Sequence, residues 1–329
     1  MFTETDRCRE LWFTGPRAVE VRSAAVPRPL DGQVLVRALA SGISQGTELL
    51  LYRGEGATPF DPSLDLPHAV TYPRRYGYAW VGEVVGRGEG GGELSLGARV
   101  FALAAHGDFH ALDAHAVRPL DARIPPNRAV LAASLETAVT CVWDCGASLG
   151  DIVVVIGGGV VGLLIARLAA SVGGRVRLVE RSPRRRAVAR ALGVTAVAPE
   201  EEDPCGDADV VVEATGDPAA LSSALAHAAQ EATVVVTSFY GARTAPVSLG
   251  GEFHRRRLIV RSSQVSCVPP ARSPRWTLGR RFELVASLLT DPCLDALLDP
   301  PVEFGSAPAT YARLDRSPGG AMQTVFVYA

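Results

Sequence analysis

The sequence predicts an α/β protein in which a doubly wound parallel sheet is inserted into a β-rich domain. Up to about residue 125, short segments of alternating apolar and polar residues are broken by Gly and Pro, which is typical of strands with irregular connections. From Asn127 onward, strand-length and helix-length apolar segments alternate, which indicates a parallel sheet with helices on both faces. The last segment of the chain again has the pattern of the first region.

Each region has its own set of predicted elements. The first region, residues 1–125, is expected to contain strands at residues 19–22, 34–40, 80–85 and 99–104. The central region, residues 126–264, is expected to contain helices at residues 129–147, 160–172, 183–192 and 218–230. Its predicted strands are residues 152–156, 176–180, 208–213, 232–238 and 258–262. The closing region, residues 265–329, is expected to return to the first domain through helices at 275–289 and 308–314 and a strand at 322–328.

The composition is that of a globular protein, and it excludes reactions that depend on lysine. Of the 329 residues, 47% are hydrophobic and 21% are charged, and the formal net charge is −2, so nothing favours nucleic acid as a partner. All 33 basic residues are arginine, and the chain contains no lysine. It therefore cannot form a lysine Schiff base or supply the lysine of a Walker-type phosphate loop.

The sequence also predicts a cytoplasmic protein that does not enter a membrane. The amino-terminal residues are too polar for a signal peptide, and the longest uncharged apolar run, residues 152–166, is shorter than the roughly 20 residues that span a bilayer. The six cysteines are scattered without a paired spacing, as expected of reduced thiols. Cys141 and Cys145 could share a helix face, but two ligands are too few for a structural zinc site.

A glycine-rich turn follows the first strand of the central region. The sequence IVVVI at residues 152–156 precedes Gly157, Gly159 and Gly162, and an apolar helix begins at Val160 and Val161. The first glycine permits the tight turn, the second lets the backbone approach a pyrophosphate, and the third allows the helix to pack closely on the strand. Since a helix amino terminus also favours negative charge, this pattern predicts a dinucleotide-binding site.

The end of the next strand carries the expected ribose contact. Glu180 closes the sequence VRLVE, where a carboxylate can accept hydrogen bonds from both ribose hydroxyls, and this favours NAD(H). Arg181 follows directly and Arg184, Arg185 and Arg186 open the next helix, so a basic patch lies where the 2′-phosphate of NADP(H) would sit. NADP(H) therefore remains possible.

Two further strand ends are expected to border the cofactor. The cofactor lies at the carboxyl edge of such a sheet. The residues at this edge are Ala214, Thr215 and Gly216 after one strand and Ser238 and Phe239 after the next.

With these motifs in place, the sequence resembles the medium-chain dehydrogenase/reductase superfamily over nearly its whole length. The resemblance includes SGISQGTE at residues 41–48, GYAWVG at 77–82, Thr137 ahead of the glycine turn, and LIVRSS at 258–263. It implies a GroES-like catalytic domain with an inserted Rossmann domain, an active site in the cleft between them, and a homodimer. GISQGTE at 42–48 and FHRRR at 253–257 are more similar to the branch that includes the bacteriochlorophyllide dehydrogenase-like proteins.

The same resemblance adds cofactor contacts. It places Thr137, Ser262 and Ser263 near the cofactor, the two serines through backbone groups close to the nicotinamide carboxamide. It also gives Arg185 the ribose contact that a lysine often makes in this family.

The sequence departs from the zinc-dependent members of the superfamily at all three catalytic ligand positions. Ser44 replaces the first cysteine, Gly77-Tyr78-Ala79 replaces Gly-His-Glu, and Ala133 stands at the third position. The structural zinc lobe is missing as well, because no cysteine occurs between Cys8 and Cys141. A catalytic zinc needs three Cys, His or carboxylate ligands, so the sequence predicts no zinc and no other metal ligand.

Without zinc, side chains must handle the proton of the substrate oxygen. Tyr78 is the first candidate for this role, together with Ser44 and Thr47, although Tyr78 could instead only fill the volume of the missing metal. Glu136, which resembles a glutamate near the metal of polyol dehydrogenases, could act as a base or be an ordinary carboxylate in the first turn of a helix. Glu48 is better explained as a salt-bridge partner inside its own domain.

The substrate and the reaction remain open at this point. His254, Arg255 and Trp276 are candidate contacts for an acidic or aromatic small molecule, or else lie in a solvated or dimer-facing surface. The favoured reaction is the zinc-independent, NAD(P)(H)-dependent interconversion of a secondary alcohol and a ketone on a small metabolite. The alternatives are reduction of an enone or quinone C=C bond, and a cofactor-retaining enzyme or binding protein without redox turnover.

Overall fold

The computed structural model describes residues 6–56, 71–91, 94–202, 204, 206–317 and 319–328. The chain forms two units. Unit 1 comprises Met1–Ala133, Ala286–Pro292 and Leu298–Ala329, and unit 2 comprises Ser134–Val285 and Cys293–Leu297. The observed divisions after Ala133 and Val285 therefore lie beyond the expected ones at residues 125 and 264.

The described residues form fifteen strands and nine α-helices. The strands are β1 (Arg7–Gly15), β2 (Ala18–Ala25), β3 (Gln33–Gly42), β4 (Trp80–Arg87), β5 (Arg99–Ala102), β6 (Phe109–Asp113), β7 (Arg118–Pro119), β8 (Ile152–Ile156), β9 (Arg175–Val179), β10 (Ala196–Val197), β11 (Ala208–Glu213), β12 (Ala228–Val236), β13 (Ile259–Ser262), β14 (Val302–Glu303) and β15 (Val325–Val327). The helices are α1 (Thr47–Arg53), α2 (Pro126–Ala129), α3 (Ala132–Cys145), α4 (Val160–Ser171), α5 (Pro183–Ala191), α6 (Ala220–His227), α7 (Glu252–Arg255), α8 (Leu278–Leu288) and α9 (Ala307–Arg316).

Unit 1 is the β-rich part of the chain. β1 and β2 form an antiparallel hairpin, and a second sheet has the order β14-β15-β3-β4-β5-β7, with β6 also paired to β3. The carboxyl-terminal strand β15 pairs antiparallel with β3. This pairing explains why the pattern of the last segment resembles that of the first region.

Unit 2 contains the doubly wound sheet that the sequence predicts. Its six strands have the order β10-β9-β8-β11-β12-β13, and all of them are parallel. Because helices cover both faces of such a sheet, its central strands are apolar on both sides, and Val153, Val154 and Val155 are fully buried. The strand order reverses between β8 and β11, which is where sheets of this kind bind ligands.

Several predicted elements differ from the observed ones. The predicted helix 129–147 corresponds to α3, which is shorter at both ends, and residue 129 instead ends the separate short helix α2. The predicted helix 218–230 ends at His227, because β12 already begins at Ala228. The strands β1 and β6 and the helix α1 were not predicted.

Two further features are the length of the helices and the state of the cysteines. Among the described residues, no helix is long and apolar enough to cross a membrane. The five described cysteines are free thiols, and Cys205 lies outside the described residues.

Candidate functional site

The glycine turn after β8 has a backbone that only glycine allows. Gly157 has a φ of 103°, and a Cβ there would lie 2.8 Å from the carbonyl carbon and oxygen of Ala214. A Cβ on Gly162 would overlap the carbonyl oxygen of Gly157. These two glycines therefore hold the start of α4 against β8 and against the residues after β11.

Gly159 has a different environment from its two neighbours in the motif. It is the N-cap of α4, and a Cβ built on it would meet no atom within 4 Å. Val160 and Val161 form the first turn of the helix and are only partly buried. Since the first N–H groups of a helix lack partners within the helix, this open end is suited to a diphosphate.

Glu180 lies directly after β9 and holds the glycine turn. Its side chain is 6% exposed. Oε2 accepts the N–H of Gly158 at 2.6 Å, and Oε1 accepts the N–H of Ser182 at 2.7 Å. Nη1 of Arg185 lies 3.9 Å from Oε2, while Arg181 is exposed. The carboxylate thus joins the glycine turn to the start of α5.

Glu213, at the end of β11, was not predicted as a functional residue. It is fully buried and accepts the N–H of Thr215 at 2.7 Å and the hydroxyl of Tyr240 at 2.6 Å. Burial and this carboxylate raise the pKa of Tyr240. A carboxylate directly after the apolar run VVV at residues 210–212 was the signal available in the sequence.

The hydrogen bonds around Glu213 order the two neighbouring strand ends. The N–H of Gly216 donates to Oγ of Ser238 at 2.8 Å, which joins the ends of β11 and β12. Phe239 follows and is 53% exposed. The predicted cofactor residues Ala214, Thr215, Gly216 and Ser238 therefore lie together at the carboxyl edge of the sheet.

The remaining predicted cofactor residues lie at the end of β13, directly after it, and on α3. Ser262 ends β13 and is exposed. Ser263 donates its N–H to the carbonyl of Val236 at 2.9 Å and its hydroxyl to Asp144 at 2.8 Å. Thr137 lies in α3 and is partly buried.

Glu136 also lies on α3, where it forms an ion pair with a buried arginine. Nε and Nη2 of Arg281 donate to its Oε1 at 3.1 and 2.9 Å. Arg281 further donates to Thr140 at 3.0 Å and to the carbonyl of Val265 at 2.7 Å. The bonds of Glu136 favour a structural role over that of a base, because two guanidinium N–H groups already bind its Oε1.

The three candidate substrate residues do not lie together. His254 and Arg255 end α7, which leads to the amino-terminal end of β13, and the carbonyl of Arg256 accepts the N–H of Glu231 in β12 at 2.7 Å. They therefore lie at the edge of the sheet opposite the glycine turn, which does not support contact with a substrate at the cofactor. Trp276 packs against Trp143 with ring centroids 4.7 Å apart.

Unit 1 brings together the three predicted hydroxyl groups. The Tyr78 hydroxyl donates to Oγ of Ser44 and lies 3.4 Å from Oγ1 of Thr47. All three side chains are partly exposed. Burial raises the pKa of Tyr78, the bonds to Ser44 and Thr47 lower it, and the charge of Glu48 raises it. The net direction is upward, so the Tyr78 hydroxyl is protonated at neutral pH.

Glu48 lies behind these hydroxyls and has a partner in the same unit, as the sequence predicts. Its carboxylate is fully buried. Oε1 accepts the N–H of Ser44 at 2.8 Å, and Oε2 contacts Nε2 of His106 at 2.9 Å and accepts the Tyr311 hydroxyl. His106 and Tyr311 belong to no sequence motif and were not predicted.

The residues at the zinc-ligand positions do not fit a zinc ion. Ser44 and Tyr78 offer neutral hydroxyls that already bond to each other, and Ala133 offers a methyl group. Zinc in proteins is bound by Cys, His or carboxylate side chains. Within the described parts of the chain, no three His, Cys, Asp or Glu side chains are grouped so that they could hold a metal ion.

Comparison with known proteins finds that the matching family and relatives are dehydrogenases. The family described as zinc-binding dehydrogenase matches residues 160–272. The chain is 32% identical over 249 residues to 2-desacetyl-2-hydroxyethyl bacteriochlorophyllide A dehydrogenase of Rhodobacter capsulatus, covering 72% of this chain and 74% of the relative. It is 26% identical over 344 residues to D-guloside 3-dehydrogenase of Escherichia coli, covering 94% and 97%.

A solved structure has the same fold. A putative zinc-binding dehydrogenase from Sinorhizobium meliloti, solved with bound NADP, superposes with a TM-score of 0.80 at 21% identity. The match covers 98% of this chain and all of the other.

Proposed function

Because the chain belongs to the medium-chain dehydrogenase/reductase superfamily and is an NAD(P)-dependent oxidoreductase, we propose that it interconverts a secondary alcohol and a ketone without zinc. The substrate is a small metabolite. The observation that carries this proposal is the Tyr78–Ser44 hydroxyl pair, which stands at two positions where zinc-dependent members of the superfamily have metal ligands.

The cofactor is held by the residues at the carboxyl edge of the sheet in unit 2. A bound nicotinamide gives a hydride to the substrate carbon or takes one from it. The open first turn of α4, at Gly159, Val160 and Val161, binds the diphosphate. Glu180 accepts the ribose hydroxyls, which favours NAD(H), and the partly exposed Arg185 beside it leaves NADP(H) possible.

The proton of the reaction is handled by the hydroxyls of unit 1. A ketone oxygen that becomes a hydroxyl must gain a proton as the hydride arrives. The Tyr78 hydroxyl gives up its bond to Ser44 and donates that proton to the ketone oxygen, and the Ser44 and Thr47 hydroxyls, which can donate as well as accept, then hold the tyrosine oxygen. Since burial raises the pKa of Tyr78, the hydroxyl carries its proton at neutral pH.

The named relatives support alcohol chemistry over C=C reduction. Both are dehydrogenases, and their names specify a hydroxyethyl group in one case and a guloside in the other. The family description includes zinc binding, but the hydroxyl and methyl groups at the ligand positions support a reaction without it.

The reaction class is tested by following the loss of reduced-cofactor absorbance with NADH and two matched panels, simple ketones and α,β-unsaturated ketones. We expect turnover of ketones to the corresponding alcohols, identified by mass spectrometry of the product. Products saturated at the C=C bond with an intact carbonyl would show an enone reductase instead. Absence of turnover with either panel would contradict an oxidoreductase of these substrate classes.

Cofactor choice is tested separately by fluorescence titration with NADH and NADPH. We expect both to bind, with NADH the tighter ligand. The variant Glu180→Ala should lower NADH affinity more than NADPH affinity, because only NADH relies on the carboxylate for its ribose. The control Glu200→Ala removes another carboxylate of unit 2, in the 3-10 turn after β10, and should change neither affinity.

A further inference from the structure

Several buried polar side chains of unit 1 that the proposed reaction does not use form one connected network. Glu48 accepts the N–H of Ser44 through one carboxylate oxygen and contacts His106 and the Tyr311 hydroxyl through the other. Glu48, His106 and Tyr311 are all fully buried. The network therefore ends at Ser44, which is half of the hydroxyl pair.

His106 also contacts the two residues that precede Tyr78, the other half of the pair. Its own N–H donates to the carbonyl of Tyr76 at 3.2 Å. Its ring lies against Gly77, where a Cβ would come within 2.9 Å of Cδ2, and Gly77 has a φ of 133°. His106 thus supports Tyr78 through its backbone bond to Tyr76 and its ring contact with Gly77, and it supports Ser44 through Glu48.

The orientation of the imidazole is fixed from its far side. Oγ of Ser41 lies 2.7 Å from Nδ1 of His106 and 2.6 Å from the Tyr328 hydroxyl. The ring of Phe326 packs edge-on at a centroid distance of 5.3 Å. Nε2 of His106 lies 2.9 Å from Oε2 of Glu48, so both ring nitrogens have a hydrogen-bond partner. The ring cannot rotate without breaking a bond at each nitrogen.

We propose that His106 and Glu48 are positioning residues that set the distance and direction of the Tyr78–Ser44 hydroxyl pair. This inference rests on the proposed function, in which that pair transfers the substrate proton. Neither side chain touches the substrate. Displacement of a reacting group by about 1 Å can lower a rate roughly 100-fold, so a buried support of this kind affects turnover.

Paired substitutions at residue 106 separate positioning from packing. His106→Gln keeps an N–H donor near the position of Nε2, whereas His106→Asn is too short to reach Glu48. We expect His106→Asn to lower kcat roughly 10-fold to 100-fold and His106→Gln to retain most of it, with NADH affinity unchanged in both. Equal losses of kcat in the two variants would contradict the proposal.

A double-mutant cycle with Tyr78→Phe identifies the route of the effect. If His106 acts through Tyr78, then His106→Asn should cause little further loss of kcat once the Tyr78 hydroxyl is gone. Losses that multiply in the double variant would show that His106 acts independently, which would overturn the proposal.

Tyr311→Phe provides a milder variant if substitution of His106 prevents folding. It removes one donor to Glu48 and keeps the ring, and Tyr72→Phe is the matched control because the Tyr72 hydroxyl donates to the carbonyl of Leu51 instead. We expect Tyr311→Phe to lower kcat several-fold and Tyr72→Phe to leave it unchanged. Equal effects of the two variants would contradict the proposal.

The positioning role of His106 and Glu48 is tested apart from the proposed reaction by ¹⁹F NMR, which requires no turnover. In protein labelled with 3-fluorotyrosine, Tyr78→Phe identifies the ¹⁹F NMR signal of residue 78. We expect that signal to shift in His106→Asn and in Tyr311→Phe but not in Tyr72→Phe. An unchanged signal in the first two would overturn the positioning role, whereas a shifted signal without turnover of any ketone would overturn only the reaction.

Discussion

The Tyr78 hydroxyl is the group on which the proposed proton transfer depends. Substitution Tyr78→Phe removes only that hydroxyl, so kcat for ketone reduction should fall about 100-fold or more while NADH affinity stays unchanged. The measurement is steady-state kinetics with a cofactor titration. Tyr76→Phe is the control, because the Tyr76 ring packs edge-on against Tyr78 at 6.1 Å without belonging to the hydroxyl cluster. Full activity of Tyr78→Phe would contradict the role of Tyr78 as the proton donor.

The pH dependence of the same reaction follows from the raised pKa of Tyr78. Burial disfavours the phenolate, so the proton-donating form persists above the ordinary tyrosine pKa of about 10. Ionisation of Tyr78 should therefore not lower the reduction rate between about pH 7 and about pH 9. A fall in rate caused by loss of its proton should occur only above the ordinary tyrosine pKa of about 10. A reduction rate that falls between about pH 7 and about pH 9 in the wild type but not in Tyr78→Phe would contradict a raised pKa of Tyr78.

The sequence predicted some residue roles and not others for a physical reason. Ser44, Thr47 and Tyr78 could be chosen because a local motif carries them. His106 contacts Glu48 across 58 positions of the chain, and Tyr311 does so across 263. No spacing rule connects residues that only the folded sheet brings together. The same holds for the ion pair of Glu136 and Arg281, which are 145 positions apart.

The glycine turn gives a prediction at the level of an element. Gly159→Ala should leave the thermal stability of the cofactor-free protein unchanged, because φ at Gly159 is −69° and no atom lies within 4 Å of the added Cβ. The same variant should lower NADH affinity at least about tenfold, because the added Cβ lies where the diphosphate must approach the backbone. Gly162→Ala should instead destabilise the protein itself by about 1–3 kcal/mol, since its Cβ overlaps the carbonyl of Gly157. Thermal melts with and without NADH measure both. Similar behaviour of the two variants would contradict the different roles given to these glycines.

The pairing of α3 with α8 gives a second prediction at this level. Arg281 and Glu136 are 5% and 13% exposed, so Arg281→Met leaves a carboxylate without its partner in a poorly solvated place. The free energy of unfolding should fall by about 3–5 kcal/mol. Chemical denaturation measures this loss, and Glu136→Gln in the same chain should recover part of it. A loss in Arg281→Met within experimental error of zero would show that the pair does not stabilise unit 2.

Strongly patterned elements were predictable, and short or locally ambiguous ones were not. β8 and β11 have their predicted bounds, since buried parallel strands are continuous apolar runs bounded by polar residues. β1 was missed because charged residues interrupt its sequence, RCRELWFTG. The strand β12 begins earlier than expected, at Ala228, because pairing with β11 outweighs the helix propensity of its first alanines.

At the scale of the whole molecule, we propose that two copies of the chain associate through β13. This strand ends the sheet of unit 2, and within the described residues it pairs only with β12. Ile259 and Val260 are 54% and 38% exposed on it. An unpaired apolar edge of this kind is suited to pairing with its own copy.

Light scattering tests this association. The wild-type protein should have twice the chain mass of 34.7 kDa, and Val260→Lys should shift it toward the monomer, because an edge lysine opposes strand pairing. Leu149→Lys, at a residue 83% exposed elsewhere in unit 2, is the control and should leave the dimer intact. A monomeric wild-type protein would contradict the association.

The proposed replacement of zinc by hydroxyl groups is tested most directly by measuring ketone reduction and metal content on the same sample. The protein is assayed before and after exhaustive chelation. We expect far less than one zinc ion per chain in both samples and an unchanged kcat. Zinc bound in a one-to-one ratio, with activity that is lost on chelation and restored by added zinc, would contradict a reaction without zinc.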